Sequence, residues 1–176
     1  MNRHKLILTA IIAFSCLFFY GCSKEDKARG PNSNNANILV TRVVDGDTLV
    51  LEGGQRVRLI GIDTPETHVN DRLYLQAQRS KKDIQTIIAL GKEAYKFTRN
   101  LVEGKRVRIE FDLEKYDKYG RLLCYVYLED GTFVNDQIIR QGHASLLTIP
   151  PNVKYVDLFR TAYEEARENN RGLWAR

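Results

Sequence analysis

Between Val43 and Thr67 three carboxylates and one guanidinium stand out for their places beside turns or inside an apolar run. Asp47 closes an Asp45-Gly46-Asp47 turn, Asp63 and Glu66 flank Thr64-Pro65, and Arg58 lies inside an otherwise apolar run. Asp47, Asp63 and the Thr64 carbonyl could form a partial cage of hard oxygen donors. Such a set suits Ca²⁺, which accepts carboxylates, carbonyls and waters together. The three histidines, His4, His68 and His143, are scattered, so a zinc site is disfavoured. The plain alternative is that these aspartates only shape turns, where Asp is common.

Arg58 falls between Val57 and Leu59 on a segment apolar at both parities, which reads as a strand covered on both faces. A buried guanidinium needs an anion. That anion is either a neighbouring carboxylate or a phosphate gripped by two N–H donors. Glu66 could accept a proton from water, or cap the segment after Pro65. Arg121, at the turn after Tyr119-Gly120, reads by itself as a solvated surface arginine.

The surrounding elements must hold these groups together. Ile38–Val44, Thr48–Leu51 and Arg56–Ile62 read as three strands separated by Asp45-Gly46-Asp47 and Gly53-Gly54 turns. Thr67–Leu90 is polar with scattered apolar residues; Ile84, Ile87 and Ile88 permit a short helix. A clearer helix is expected over Lys92–Leu101. Strands Arg106–Leu113 and Leu122–Leu128 flank the charged turn Tyr116–Arg121, and helices follow at Phe133–Gln141 and Tyr155–Glu168. The pattern predicts a β-barrel plus α fold: a five-stranded, OB-fold-like Greek-key barrel with about three packed helices, spanning residues 38–176.

Residues 1–22 resemble a secretion signal. Arg3, His4 and Lys5 precede the fifteen-residue apolar or small-residue run Leu6–Tyr20. As a helix that run would span about 22 Å, short of the ~30 Å hydrocarbon core, so cleavage is favoured over a permanent span. Cys22 directly after it resembles the acylated cysteine of a bacterial lipoprotein signal, although Phe19 and Tyr20 depart from that pattern. Export follows, with either secretion or a lipid anchor on the cell envelope. Residues 23–37 read as a flexible tether. Cys124, on a strand, is expected to be a small buried hydrophobe. The net charge is +5. Removing Arg3 and Lys5 from the 27 basic residues leaves 25 against 22 acidic ones, or +3. That permits a polyanionic partner without demanding one.

Several separated motifs, in order, resemble the staphylococcal-nuclease-like (thermonuclease) family over about Ile38–Trp174. They are Val44-Asp45-Gly46-Asp47-Thr48, Arg58-Leu59, Asp63-Thr64-Pro65-Glu66-Thr67 and Asp117-Lys118-Tyr119-Gly120-Arg121. Gly91-Lys92-Glu93-Ala94, Val134-Asn135, Arg140-Gln141-Gly142 and Trp174 complete the match. The resemblance implies Ca²⁺-dependent hydrolysis of DNA and RNA to 3′-phosphate ends, with single strands preferred, by a monomer. It implies Asp47, Asp63 and the Thr64 carbonyl as metal ligands, Arg58, Glu66 and Arg121 as the catalytic set, and Lys118 and Tyr119 at the substrate.

Two departures stand out. Leu147-Thr148-Ile149 occupies the place of a pair of pocket tyrosines, and aromatic stacking is worth about 1–3 kcal/mol per base. Thr67–Leu90 is longer than usual, so it either hangs over the site or is an inert surface insertion. The competing function is a non-catalytic nucleic-acid-binding module on the same barrel, which would have no need of Arg58, Glu66 and Arg121 together. A protein–protein adaptor on a membrane tether is a weaker rival that no motif supports.

Overall fold

The computed structural model describes residues 35–175. The expected leader and most of the tether lie outside the described residues. Among those described, no helix is long and apolar enough to cross a membrane.

Five strands close into a barrel in the order β1 (Ile38–Asp45), β2 (Thr48–Leu51), β3 (Arg56–Leu59), β6 (Leu122–Leu128) and β5 (Arg106–Glu110). The expected five-stranded barrel is therefore present. Every neighbouring pair is antiparallel except β3 and β6. Parallel strands cannot be joined by a hairpin, so a long crossover separates them, and it carries most of the candidate site. In their register Arg58 stands opposite Leu123. Arg121, two residues earlier, therefore shares a face with Arg58.

The single strand expected over Arg56–Ile62 is broken. β3 ends at Leu59, and β4 (Gly61–Asp63) pairs instead with β7 (Ser145–Leu147), a strand the sequence reading missed. Gly61 makes the bend, with φ of +85°. A Cβ there would also meet the Phe159 ring at 2.4 Å. Buried Asn135 fixes the bend from behind, donating through Nδ2 to the Ile60 carbonyl and accepting from the Val126 amide. The break redirects the chain and brings Asp63 around to the face of Arg58.

Four helices pack on the barrel, one more than expected. α1 (Asp71–Ser80) starts at Asn70, whose side chain accepts from the Leu73 amide, and ends at Lys81 in the left-handed region. α2 (Ile84–Val102) runs unbroken through Gly91, so the helix expected over Lys92–Leu101 and the short one that Ile84, Ile87 and Ile88 permit are a single element. α3 (Val134–Arg140) and α4 (Val156–Glu168) follow as expected, within a residue or two at their ends.

The core is aliphatic inside the barrel, with Val40, Leu49, Val57, Leu59, Val107 and Val126 essentially inaccessible to solvent. Under α4 it is aromatic: Tyr125 meets Tyr155 edge-on at 4.6 Å, and Phe133 meets Tyr155 at 5.0 Å. Cys124 lies in the core. Burial pushes its thiol well above the ordinary range, so it packs as a hydrophobe and does not react.

Candidate active site

The Asp45-Gly46-Asp47 turn is pinned by two threonines. Thr98 of α2 donates to the Gly46 carbonyl at 2.8 Å. The Thr64 side chain lies so close to Gly46 that a Cβ there would sit 2.7 Å from it. Thr64 also donates twice to Asp47 Oδ2, from its amide at 2.9 Å and its hydroxyl at 3.0 Å. These two hydrogen bonds stitch two turns distant in sequence into one unit.

Arg58 fills the centre. Its Nη1 is 3.1 Å from Asp47 Oδ2, and its Nη2 is 3.0 Å from Asp63 Oδ1. Nη1 also donates to the carbonyls of Leu59 and Ile62. Arg58 and Asp47 are 6% and 5% exposed. Deleting either would strand a buried charge at a cost of about 3–5 kcal/mol. The carboxylate reading of Arg58's anion is thus realised, while its Nε–H has no partner among the described residues and the residue lines an open cleft.

The charges are tuned against one another. Burial opposes ionisation of Asp47, but Arg58 and the Thr64 amide hold its carboxyl below the usual range. Burial and the charge on Asp47 raise Asp63, against the pull of Arg58 and Arg72. Burial and Asp47 likewise push Asp45 up to about 7. Asp47 thus raises the acids on either side of it, and the two arginines offset this at Asp63, an arrangement that an added cation would relieve.

Glu66 is held from α1. Asn70 Nδ2 donates to Glu66 Oε2 at 2.8 Å, and Arg72 Nε lies 3.1 Å from Oε1. Gln76 accepts from the Glu66 amide at 3.0 Å and donates to the Thr64 carbonyl at 3.3 Å. Arg72 also reaches Asp63 Oδ1 at 2.7 Å. The long Thr67–Leu90 segment is therefore built into the site and is not an inert insertion. Asn70, Arg72 and Gln76 were missed in the sequence. Arg72, Gln76 and Arg79, spaced four and three apart behind an N-capping asparagine, were the signal that could have found them.

On the opposite wall Asp117 organises the Tyr116–Arg121 turn. Its Oδ1 accepts from the amides of Tyr119 and Arg121, and its Oδ2 accepts from Arg121 Nε at 2.7 Å. This leaves the two terminal nitrogens of Arg121 without protein partners among the described residues. The Arg121 and Lys118 cations sit 5.5 and 5.0 Å from the centre of the Tyr119 ring. Arg58, Asp63, Arg72, Lys118, Tyr119 and Arg121 line one cleft of about 550 Å³. Asp47, Thr64 and Glu66 do not line it; they join it through their bonds to Arg58, Asp63 and Arg72.

A model of the staphylococcal nuclease homologue family matches residues 56–176. The chain belongs to the staphylococcal nuclease family. It is 37% identical over 175 residues to a thermonuclease of Staphylococcus intermedius, covering 97% of this chain and 96% of that one. It is 31% identical over 173 residues to a thermonuclease of Staphylococcus hyicus, covering 97% and 94%. Endonuclease YncB of Bacillus subtilis (strain 168) is 35% identical over 161 residues, covering 86% and 70%.

The staphylococcal nuclease resemblance implies a cation, and the donor set fits a hard one. Among the described residues no three His, Cys, Asp or Glu side chains are arranged to hold a metal. The set here is instead two carboxylates and a carbonyl. Asp47 Oδ1 accepts from the Thr48 hydroxyl at 3.1 Å, and Asp63 Oδ2 accepts from no described residue. Both keep lone pairs for a cation that favours oxygen. Leu147 and Ile149, noted in the sequence as standing where the resemblance would place tyrosines, line the cleft with Leu75, so its apolar wall is aliphatic.

Proposed function

We propose that this chain is a calcium-dependent nuclease that hydrolyses DNA and RNA phosphodiesters and leaves 3′-phosphate ends. The observation that carries this reading is the convergence of Arg58, Asp63 and Arg121 on one cleft, with Glu66 bound to its rim through Arg72. The names of the thermonuclease and endonuclease relatives support it. So does the neighbouring Tyr119, an exposed ring on which a base can stack.

In this mechanism the scissile phosphate enters between Arg58 and Arg121. The free terminal N–H groups of Arg121 and the Nε–H of Arg58 donate to its oxygens. Those bonds strengthen as the phosphorus gains a fifth ligand and more negative charge. Losing one such donor costs about 3–4 kcal/mol of transition-state stabilisation in comparable sites. Glu66 takes a proton from the attacking water, and Asn70 and Gln76 fix its position. The new P–O bond forms as the bond to the 5′ oxygen breaks; that oxygen takes a proton from solvent, and the phosphate stays on the 3′ side. Asp47, Asp63 and the Thr64 carbonyl would hold Ca²⁺, which supplies Lewis-acid polarisation of the phosphate when bound.

We extend the proposal to single-stranded nucleic acid as the preferred form, because an aliphatic wall and one tyrosine face unpaired bases better than a duplex backbone. A monomer exported through the Leu6–Tyr20 run, and lipidated at Cys22 if anchored, completes the reading.

The test is cleavage of single-stranded DNA and RNA by the purified protein with Ca²⁺ and with EGTA. Cleavage that needs Ca²⁺ and yields 3′-phosphates supports the proposal. Tight oligonucleotide binding with no cleavage under any divalent ion would leave the binding-module reading in its place.

A further inference from the structure

Arg72 spans the two acids that matter most in the proposed chemistry. Its Nη2 reaches Asp63 at 2.7 Å and its Nε reaches Glu66 at 3.1 Å. These carboxylates are its only ion-pair partners among the described residues. It sits in the first turn of α1, on the segment longer than its family usually carries, and its side chain is 53% exposed.

Two guanidiniums share Asp63 Oδ1, and they are held very differently. Arg58 is buried and tied to Asp47 and to two backbone carbonyls, so it cannot leave. Arg72 is at the rim, on a long flexible stem, and among the described residues only the two carboxylates pair with it. A divalent cation arriving at Asp63 would place two positive charges beside it, repelling it and taking its acceptor. Arg72 lines the cleft beside Arg58 and Arg121. An entering phosphodiester is therefore the nearest new anion, and a guanidinium binds phosphate through the same paired donors it uses for carboxylate.

We propose that Arg72 is a third phosphate-binding arginine: its guanidinium occupies Asp63 and Glu66 while the cation is absent, and passes to the phosphate backbone of the bound strand when cation and substrate enter. This rests on the nuclease reading above. It makes α1 a competitor of the cation and a partner of the substrate. The two roles predict effects of opposite sign for one substitution. An arginine that merely stiffened α1 would weaken both ligands or neither.

The experiment measures Ca²⁺ binding by calorimetry without nucleic acid, for the wild type and Arg72→Ala. It then measures binding of a single-stranded DNA oligonucleotide in saturating Ca²⁺, in a Glu66→Gln background that slows turnover, with and without Arg72→Ala. Ca²⁺ should bind about two- to fivefold tighter once a half-exposed pair no longer competes. The oligonucleotide should bind several-fold more weakly, with its log–log salt slope reduced by about 0.7, one phosphate contact on a single strand. Arg72→Lys keeps the charge but cannot bridge two carboxylates, so it should shift both affinities the same way by less; it carries the test if the alanine variant does not fold. Unchanged or weaker Ca²⁺ binding, or unchanged oligonucleotide binding, overturns the proposal while a wild type that binds and cleaves leaves the nuclease reading standing. A wild type that neither binds Ca²⁺ nor cleaves overturns both.

Discussion

Gly91 of α2 packs directly on the backbone of Glu66: a Cβ built at Gly91 would lie 2.5 Å from the Glu66 carbonyl oxygen and 2.7 Å from that of Pro65. A glycine in mid-helix normally costs about 1 kcal/mol against alanine. Here its absence of a side chain lets the helix back the turn that carries the proposed general base.

Gly91→Ala should therefore displace the Glu66 peptide. We expect a loss of about 1–3 kcal/mol in unfolding free energy from overpacking, and a drop in kcat beyond what that loss explains. Denaturant melts and steady-state cleavage under fully folded conditions check it. Full activity would show that the contact does not position Glu66.

Glu66→Gln keeps the shape and the bond from Asn70 but removes the proton acceptor. Turnover should fall about 10²–10⁴-fold, with oligonucleotide affinity changed by less than a few-fold. Single-turnover cleavage beside equilibrium binding separates the two. Unchanged turnover would remove Glu66 from the role of base.

Arg121 and Asp117 should fail together. Arg121→Ala is expected to lower kcat about 10²–10³-fold without unfolding the domain. Asp117→Ala leaves Arg121 present but unaimed, because Asp117 accepts from both its Nε and its amide. The double variant should be little worse than Arg121→Ala by itself, a non-additivity that a double-mutant cycle reads directly. Additive losses would mean that Asp117 acts elsewhere.

His143 gives a pH dependence away from the site. It stacks on Phe97 at 4.5 Å, and burial holds its imidazole below the ordinary 6.5, with Glu93 opposing. The unfolded chain thus takes up a proton near pH 6.5 that the folded protein refuses. Stability contributed above that pH is lost as pH falls through and below it. His143→Phe keeps the stack without the titration, so its melting temperature should fall less than the wild type's between pH 7.5 and pH 5. Equal losses in both would acquit His143.

Much of this was legible in the sequence because it is local. Leu122–Leu128 and Thr48–Leu51 have the bounds that their patterns predict. Arg58 is buried as the apolar residues around it implied. The Asp45-Gly46-Asp47 turn follows from short-range turn chemistry. The acids and arginines of the site could be named because their types are unusual for their places, and the family resemblance set them in order.

What only the tertiary structure decided is what those groups touch. α1 buries only Leu73, so its apolar stripe is too thin to announce a helix. Its grip on Glu66 and Asp63 comes from polar side chains that meet only after the chain has folded back. Gly91 looked like a helix boundary because the reason for a glycine there is a contact with residues far back in the chain. Gly61 breaks a strand that its neighbours would continue, because Asn135 holds the Ile60 carbonyl and Phe159 packs on Gly61, both from distant helices. Local sequence fixes backbone preference and burial; which charge faces which is set by the packing of elements remote in the chain, and no spacing records it.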